Sequence, residues 1–390
     1  MSSPPGTESV IPDSRYIRTR DGREQHATYF ELFFDLVYVF AITQLSHHLL
    51  GDLTWEGAAQ TAFLLLAVYW AWNYTTWMTN WFDPETAPVR LLLAFVMLAS
   101  LLMAVAIPKG FAGEALLFAA SYCALQVGRN AFVVTVTPGG AFRDNFLRIG
   151  IWAVASTPLW IAGAIADDGA RWALWLAALG LDLLAPLATY WVPGMGTAPA
   201  REWEIDPGHF AERFQLFIII VLGESIVITG ATASGTGLAA ENLIALSLAF
   251  AISVALWWLY FGQIAASAVS RIATADVPGR LGRNAYTYLH IPIVAGILLT
   301  AVGDELLVAH PGHDLGNAGA LVTLAGPALY LLGLSGFGAL VGRRLGASRL
   351  VVAALLIAAA PLAAGVSALS VAAAEAAILV CLVVADRQPG

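Results

Sequence analysis

The chain has 390 residues, of which 59 % are hydrophobic and only 12 % are charged, whereas a soluble protein is about half apolar and a quarter charged. This composition excludes a soluble enzyme with a polar shell, a disordered protein, a coiled coil and a disulfide-stapled scaffold. The net charge of −8, with 19 lysine and arginine residues, gives no support for nucleic-acid binding. The composition indicates a membrane protein whose surrounding partner is the lipid bilayer.

Neither the cysteines nor the short motifs indicate a metal, a cofactor or a soluble-type active site. Cys123 and Cys381 each lie in an apolar helical stretch, so neither a disulfide framework nor metal-ligand spacing is indicated. The sequence has no P-loop, no Rossmann fingerprint and no G-x-S-x-G or H-E-x-x-H motif. We therefore expect no metal and no cofactor, and we do not expect an enzyme of the soluble type.

Twelve apolar runs are long enough to cross a hydrocarbon core of about 30 Å, which takes about 20 helical residues. The predicted spans are 30–50, 57–79, 90–107, 114–136, 146–165, 171–191, 211–230, 240–265, 284–303, 318–341, 349–365 and 368–385. They predict an all-α polytopic membrane protein with twelve transmembrane helices and no loop long enough to form a soluble domain.

The positive charges predict the orientation of these spans. With a cytoplasmic N-terminus, all but two of the 19 lysine and arginine residues lie on the cytoplasmic side, and the exceptions are Lys109 and Arg171. The opposite loops carry carboxylates instead, among them Asp304 and Glu305. This bias follows the positive-inside rule. It predicts that the N- and C-termini are both cytoplasmic and that the protein lies in the cell membrane.

Residues 1–29 are polar and predict a mobile cytoplasmic tail. Arginines ahead of an apolar run can also imitate a signal peptide, but Glu31 and Asp35 interrupt this run and no small-residue cleavage site follows it. The first span is therefore expected to be an uncleaved helix.

The spans predict two parallel six-helix repeats, over residues 30–191 and 211–386, joined by a cytoplasmic linker over 192–210. The first and seventh spans align at an offset of 181 residues, which places Glu31-Leu-Phe33 opposite Glu212-Arg-Phe214. An even number of helices in each half gives repeats related by an axis along the membrane normal.

Two carboxylates near the start of the first span form the first candidate site. Glu31 and Asp35 are four residues apart, so they share one helix face with Tyr38 and Ile42. A charged side chain inside a bilayer is expensive and calls for an explanation. Two interpretations remain open: an ion or substrate site facing a vestibule, or a salt-bridge cluster that holds helix ends together.

Glu224 is a sharper signal, because no charge in its own apolar stretch compensates it. Gly223 is expected to allow close approach of another helix, and Ser225 can add a hydrogen bond. We expect Glu224 to be a functional carboxyl in an ion or substrate pathway. The alternative is a neutral glutamic acid that is hydrogen-bonded between helices.

Asp182 and His290 are further pathway candidates inside predicted spans. A lone histidine of this kind more often has a satisfied packing role, and for Glu375 the sequence leaves a lipid-adjacent and a packed position open. Aromatic residues of the second and eighth spans are expected in the helix core rather than in a ligand cage. The residues expected to pack helices are Phe33, Phe34, Gly223, Ser225, Trp72, Trp258 and Tyr260.

Two stretches resemble the signatures of the bacterial low temperature requirement A (LtrA) family. Residues 30–45 read FELFFDLVYVFAITQL, and residues 212–226 read ERFQLFIIIVLGESI. Residues 258–261, WLYF, and 285–292, AYTYLHIP, look like further parts of this pattern, so the likeness covers residues 26–345. The family name refers to growth in the cold, and the resemblance implies no particular cargo or reaction.

The first span is also similar to the first helix of a potassium-channel family built from two six-helix repeats. In that family a Phe-Ser-Asp sequence precedes an Ala-Ile-Thr run, and here residues 33–35 read FFD and residues 41–43 read AIT. The resemblance implies that Asp35 is a structural anchor below a hydrophobic constriction near Phe40 and Ile42. The serine position is phenylalanine here, so a shared fold would carry a different pore chemistry.

These observations favour a transporter or channel-like protein that moves an ion or small solute past intramembrane carboxylates. The alternative is an intramembrane enzyme or lipid-handling protein, in which Glu31, Asp35 and His290 supply acid–base groups from the cytoplasmic side. A receptor or assembly factor without turnover ranks third, because the short loops present no docking module. The substrate, the coupling ion and the oligomeric state do not follow from the sequence.

Overall fold

The computed structural model describes residues 11–12, 14–20, 25–199, 203–236, 239–262, 264–342 and 346–386. In these ranges the chain is helical, with three isolated bridge pairs and no strand, so the predicted all-α class is confirmed. Five of the arginines used to predict the orientation lie outside the described residues: Arg23, Arg201, Arg343, Arg344 and Arg387.

Each of the twelve predicted spans coincides with a helix. The helices of the first half are α1 Tyr29–Gly51, α2 Trp55–Trp81, α3 Ala87–Ala106, α4 Ala115–Val136, α5 Ala141–Ile165 and α6 Asp168–Leu184. Those of the second half are α7 Pro207–Thr236, α8 Ala240–Phe261, α9 Ala265–Ala273, α10 Pro278–Gly282, α11 His290–Ala309, α12 Gly316–Leu340, α13 Ala347–Ala363 and α14 Ala368–Ala385. A π-helical turn, Arg283–Tyr288, joins α10 to α11.

Several predicted boundaries are wrong: α5 begins at Ala141 rather than at 146, and α7 runs to Thr236 rather than to 230. Helix α6 ends at Leu184 rather than at 191, and Thr189 and Tyr190 beyond it have left-handed φ angles of 51° and 50°, which an α-helix of L-residues cannot continue through. Helix α11 begins at His290, after the π-turn, and runs to Ala309, six residues past the predicted end at 303.

Among the described residues, eight helical segments are long and apolar enough to cross a membrane. They are Tyr29–Gly51, Ala87–Lys109, Ala141–Ile165, Pro207–Gly235, Ala240–Phe261, Pro278–Ala309, Gly316–Leu340 and Ala368–Ala385. Large apolar side chains such as Leu91, Val227 and Leu362 are exposed on the helix surfaces, as in a protein surrounded by lipid. The protein is a multi-pass helical membrane protein, and the count of twelve crossings stays a prediction.

The chain divides into two units. The first comprises Met1–Val37, Trp70–Phe210 and Asp276–Arg280, and within it α3 packs on α4, α4 on α5 and α5 on α6. Its described N-terminal segment is paired with the end of α2: the Arg18 backbone N–H donates to the Trp81 carbonyl at 2.8 Å. This pairing brings part of the predicted tail beside the start of α1.

The second unit comprises Tyr38–Tyr69, Ala211–Ala275 and Leu281–Gly390. Here α11 packs on α12, α12 on α13 and α13 on α14, while α8 contacts both α11 and α14. Helices α3 to α6 of the first unit correspond to α11 to α14 of the second in the predicted repeats. In both sets each helix packs on the next one along the chain. This agreement favours the repeats, which stay a prediction.

Glycines let α11 and α12 approach closely. A Cβ atom on Gly296 would lie 2.5 Å from the backbone nitrogen of Tyr330, and one on Gly326 would lie 2.5 Å from that of Thr300. Small residues at helix contacts are typical of packing inside membranes. Because the obstructing atoms are backbone, a side chain at either position would push the two helices apart.

Candidate functional site

Glu31, at the start of α1, lies in a buried network. Its Oε2 accepts hydrogen bonds from Arg18 Nη2 at 2.8 Å and from the Thr28 backbone N–H at 2.8 Å. Its Oε1 is 2.9 Å from His209 Nε2, and both side chains are fully buried. Glu31 thus forms an ion pair with an arginine. Of the two interpretations left open by the sequence, this arrangement corresponds to the salt-bridge cluster that holds helix ends together.

Asn80 fixes the hydrogen-bonding state of His209. The Asn80 side-chain oxygen accepts from the Asp206 N–H at 2.8 Å, so its Nδ2 is the atom 3.1 Å from His209 Nδ1. Because an amide nitrogen only donates, His209 Nδ1 must accept, which assigns the ring proton to Nε2, 2.9 Å from Glu31 Oε1 and 3.2 Å from Arg18 Nη2. We call Arg18, Thr28, Glu31, Asn80 and His209 the charge clamp. Its arginine and its glutamate balance in charge.

Asp35 lies one turn further along α1. Its Oδ1 accepts a hydrogen bond from the Trp72 indole N–H at 2.8 Å, and both side chains are fully buried. Tyr38 and Ile42 are also buried, so the four residues predicted to share a face of α1 are all covered. Trp72 packs in the core of the first unit.

The structure does not bring the two constriction candidates together. Ile42 is buried, whereas the Phe40 side chain is 36 % exposed, because positions two apart on a helix point to nearly opposite sides. Phe33, expected to pack helices, is 56 % exposed, while its neighbour Phe34 is buried.

Asp182, on α6, accepts only uncharged donors in the part of the chain described by the structure. Tyr122 Oη donates to its Oδ2 at 2.9 Å and Trp160 Nε1 donates at 3.0 Å. Gln126 Nε2 in turn donates to Tyr122 Oη at 3.0 Å, and the Gln126 side-chain oxygen accepts from Arg129. The predicted pathway residue Asp182 therefore ends a buried polar chain that begins at an arginine.

His290, on α11, has a hydrogen-bonding partner at each ring nitrogen. Nδ1 is 3.2 Å from the Ala285 carbonyl and must donate to it, so Nε2 accepts from Tyr260 Oη at 2.8 Å. The ring stacks on Tyr286 with an interplanar angle of 14°. Both ring nitrogens of the histidine are thus engaged within the second unit, and one of them caps a carbonyl of the π-turn. Tyr260 is buried with it, whereas Trp258 is 39 % exposed.

Glu224, on α7, forms no ion pair with a lysine or arginine within the described residues. Its side chain is 3 % exposed, and its Oε1 accepts a hydrogen bond from Thr43 Oγ1 on α1. Thr43 and Glu224 are 181 residues apart, the offset that aligns α1 with α7. The expectation for Gly223 is wrong, because a Cβ there would meet no described atom within 4 Å. Its α7 position faces open space rather than a neighbouring helix.

The residue that follows Glu224 contacts a further carboxyl group of the second unit. Ser225 Oγ donates to Asp304 Oδ2 at 3.0 Å, and Asp304 and Glu375 are both buried. Glu305 is half-buried. Exposed His47 interacts electrostatically with both Glu224 and Glu305. We call Glu224, Ser225, Asp304, Glu305 and Glu375 the carboxyl cluster; within the described residues no lysine or arginine forms an ion pair with it.

The prediction of an external loop for Asp304 and Glu305 is wrong, since both lie in α11. The apolar Leu306–Ala309 stretch that follows them is the signal for a longer helix.

His209 falls in the predicted linker, but in the structure it lies in the first turn of α7. The sequence signal for this helix start is Asp206 followed by Pro207. In the structure, Asp206 Oδ1 accepts a hydrogen bond from the His209 backbone N–H at 2.9 Å.

The cluster does not resemble a metal centre. In the described ranges, no group of three or more histidine, cysteine, aspartate or glutamate residues is placed to hold a metal ion. What the arrangement offers chemically is a set of carboxyl oxygens and hydroxyl groups that can bind and pass protons or contact a small solute.

Comparison with known proteins gives two matches. Residues 26–384 match the family described as bacterial low temperature requirement A protein (LtrA). Over 323 residues the chain is 38 % identical to the protein of Rhizobium meliloti (strain 1021) named uncharacterized protein RA0937, and the match covers 82 % of this chain and 79 % of that relative. No solved structure matches the chain.

Proposed function

The chain belongs to the bacterial low temperature requirement A (LtrA) family, and from this premise we propose that it is a transporter or channel for an ion or small solute. The observation that carries the proposal is the setting of Glu224. This carboxyl is buried, and Thr43 is its hydrogen-bonding partner among the described residues. A carboxyl held in an apolar helix without a cation is expensive, and in membrane proteins such groups mark ion and substrate pathways.

The other predicted pathway residues differ in the hydrogen-bonding partners of their side chains. Glu31 is held by Arg18, and Asp35 by Trp72, so we assign both to the framework of α1. Asp182 accepts two neutral donors, and His290 has both nitrogens engaged. We therefore place Glu224 at the centre of the proposed pathway.

The proposed setting is the cytoplasmic membrane, with twelve crossings, two six-helix repeats and both termini in the cytoplasm. The positive-inside bias supports the orientation. The coincidence of every predicted span with a helix supports the count, and the matching order of helix packing in the two units supports the repeats.

The alternative of an intramembrane enzyme or lipid-handling protein receives less support. It needs acid–base groups that can exchange protons with a substrate. Its three candidates, Glu31, Asp35 and His290, are buried and held by side chains of their own unit. No observation on these residues favours catalysis over packing.

The test is solid-supported-membrane electrophysiology on proteoliposomes under K⁺, Na⁺ and proton gradients. We expect the wild-type protein to carry a current and Glu224→Gln to lose it, because the amide keeps the shape but removes the titratable charge. Glu241→Gln, at the exposed start of α8, is the matched control and should leave the current unchanged. A folded wild-type protein that moves no ion and no solute from a broad panel would falsify the proposal.

A further inference from the structure

Four helices of the second unit bring polar side chains to one buried place. Ser225 of α7 donates to Asp304 of α11 at 3.0 Å, and Ser225 Oγ is 3.4 Å from Ser253 Oγ of α8. Glu375 of α14 interacts electrostatically with Asp304. All four side chains are buried, and α14 packs against both α8 and α11.

One oxygen of Glu375 has no partner among the described residues. Glu375 Oε2 is buried and makes no hydrogen bond within the described part of the chain. A buried, unsatisfied acceptor is costly. An oxygen that carries a proton escapes most of this cost, because the carboxylic acid is neutral.

In the described part of the chain, no lysine or arginine forms an ion pair with Asp304 or Glu375. The sequences of α8, α12 and α14 contain no lysine, arginine or histidine. The basic residues of α7 are His209 and Arg213 near its start, and 12 residues separate Arg213 from Ser225, roughly 18 Å along a helix at about 1.5 Å per residue. In α11 the basic residue is His290, at the first position of the helix.

Two ionised carboxylates therefore cannot coexist here at neutral pH without a large penalty. Desolvation disfavours each charge, and mutual repulsion disfavours the second. When two interacting carboxyl groups share an apolar site, the pair retains a proton, and the proton belongs to the pair rather than to one residue.

Two further carboxyl groups, Glu224 and Glu305, adjoin Ser225 and Asp304 in sequence. Ser225 follows Glu224 in α7, and Glu305 follows Asp304 in α11. Glu224 and Glu305 both interact with His47, which is exposed. These groups are the candidates for proton exchange between the pair and the protein surface.

We propose that Asp304 and Glu375 share a bound proton and that this proton is the coupling ion of the transport proposed above. The step is a simple protonation: one carboxylate oxygen of the pair gains a proton from water, becomes a neutral acid, and later returns the proton to water. The coupling part of the inference rests on the proposed function, whereas the presence of the proton does not.

Infrared difference spectroscopy of the purified full-length protein in H₂O and D₂O tests the proton directly. We expect the wild-type protein to show the C=O stretching band of a buried protonated carboxyl group, and we expect Asp304→Asn or Glu375→Gln to remove intensity from it. Glu241→Gln, with an exposed side chain, is the control and should leave the band intact. Two variants test the pair separately, so a folding defect in one leaves the other decisive; an unchanged band in folded variants overturns the proposal.

Transport measurements then test the coupling. A current driven by a pH gradient in the wild-type protein should fall to background in Asp304→Asn. A wild-type current that does not depend on the pH gradient overturns the coupling but is consistent with the proposed transport. A wild-type protein that shows the infrared band but no transport supports the shared proton and overturns both the coupling and the proposed function.

Discussion

The charge clamp of the first unit and the carboxyl cluster of the second unit both bury carboxyl groups in apolar helices. They differ in the partners that these carboxyl groups have. In the clamp, Glu31 meets Arg18 at 2.8 Å, and Asn80 orients the histidine that completes the network. In the cluster, Glu224 and Asp304 meet the hydroxyl groups of Thr43 and Ser225.

The difference separates structural from functional carboxyl groups. A buried ion pair is expensive to break, since removing either partner strands a charge. A buried carboxyl with hydroxyl partners can be neutral, and its proton can be exchanged without losing an ion pair. The stability of the protein should therefore depend strongly on the clamp and weakly on the cluster, whereas transport should show the opposite dependence.

The largest expected effect is at the clamp. Glu31→Ala leaves the Arg18 guanidinium buried without its carboxylate, so we expect a loss of about 3–5 kcal/mol in the free energy of unfolding. Chemical unfolding in detergent measures it. The double variant Arg18→Met, Glu31→Leu removes both charges and should lose much less. Equal losses in the single and double variants would contradict the ion-pair interpretation.

Asn80→Leu should cost about 1–3 kcal/mol, because the Asp206 N–H and His209 Nδ1 both lose a buried partner. The matched control is Thr76→Val on the same helix, since the Thr76 hydroxyl makes no hydrogen bond within the described residues. The two variants are compared by thermal unfolding. A control as destabilised as Asn80→Leu would show that the loss comes from packing in α2 rather than from the clamp.

Thr43→Val should cost about 0.5–1.5 kcal/mol, the usual value of one hydrogen bond. Thr43→Ser retains the hydroxyl and should retain both the stability and the transport current, whereas the valine variant should reduce the current because Glu224 loses its partner. Unfolding and electrophysiology on the same preparations measure the two effects. Identical currents in the serine and valine variants would remove Thr43 from the pathway.

The smallest expected change in stability is for Glu375→Gln, within about 0.5 kcal/mol of the wild-type protein. The amide replaces a neutral acid of the same shape. Thermal unfolding is the measurement. A loss as large as that of Glu31→Ala would mean that Glu375 is ionised and paired, and the contrast between clamp and cluster would fail.

The helices could be predicted from the sequence because apolar runs of this length have few other structures available in a bilayer. The boundaries were less predictable where backbone geometry departs from the α-helix. Hydropathy does not detect the π-turn before His290 or the left-handed residues after α6. It also predicts that α11 ends at residue 303, just before Asp304 and Glu305. That single error placed Asp304 in a loop rather than in the carboxyl cluster.

The site could be predicted only in part, for a related reason. Glu31, Asp35 and Glu224 are conspicuous as charges within apolar runs. Their partners are not, since Arg18 and His209 lie in segments that the sequence assigns to a tail and a linker. The hydrogen bond between Arg18 and Glu31 depends on the bridge between Ile17 and Phe82, and such a pairing over long sequence separation has no local sequence signal.

The contact between Thr43 and Glu224 has a consequence for how such a protein could arise. In the two-repeat arrangement predicted from the sequence, these residues occupy the same position in each half. In a symmetric dimer of two identical six-helix chains, both residues at that contact would be of the same type. They would be either two threonines or two mutually repelling glutamates. Joining the halves into one gene allows one of them to acquire the acid while the other keeps the alcohol.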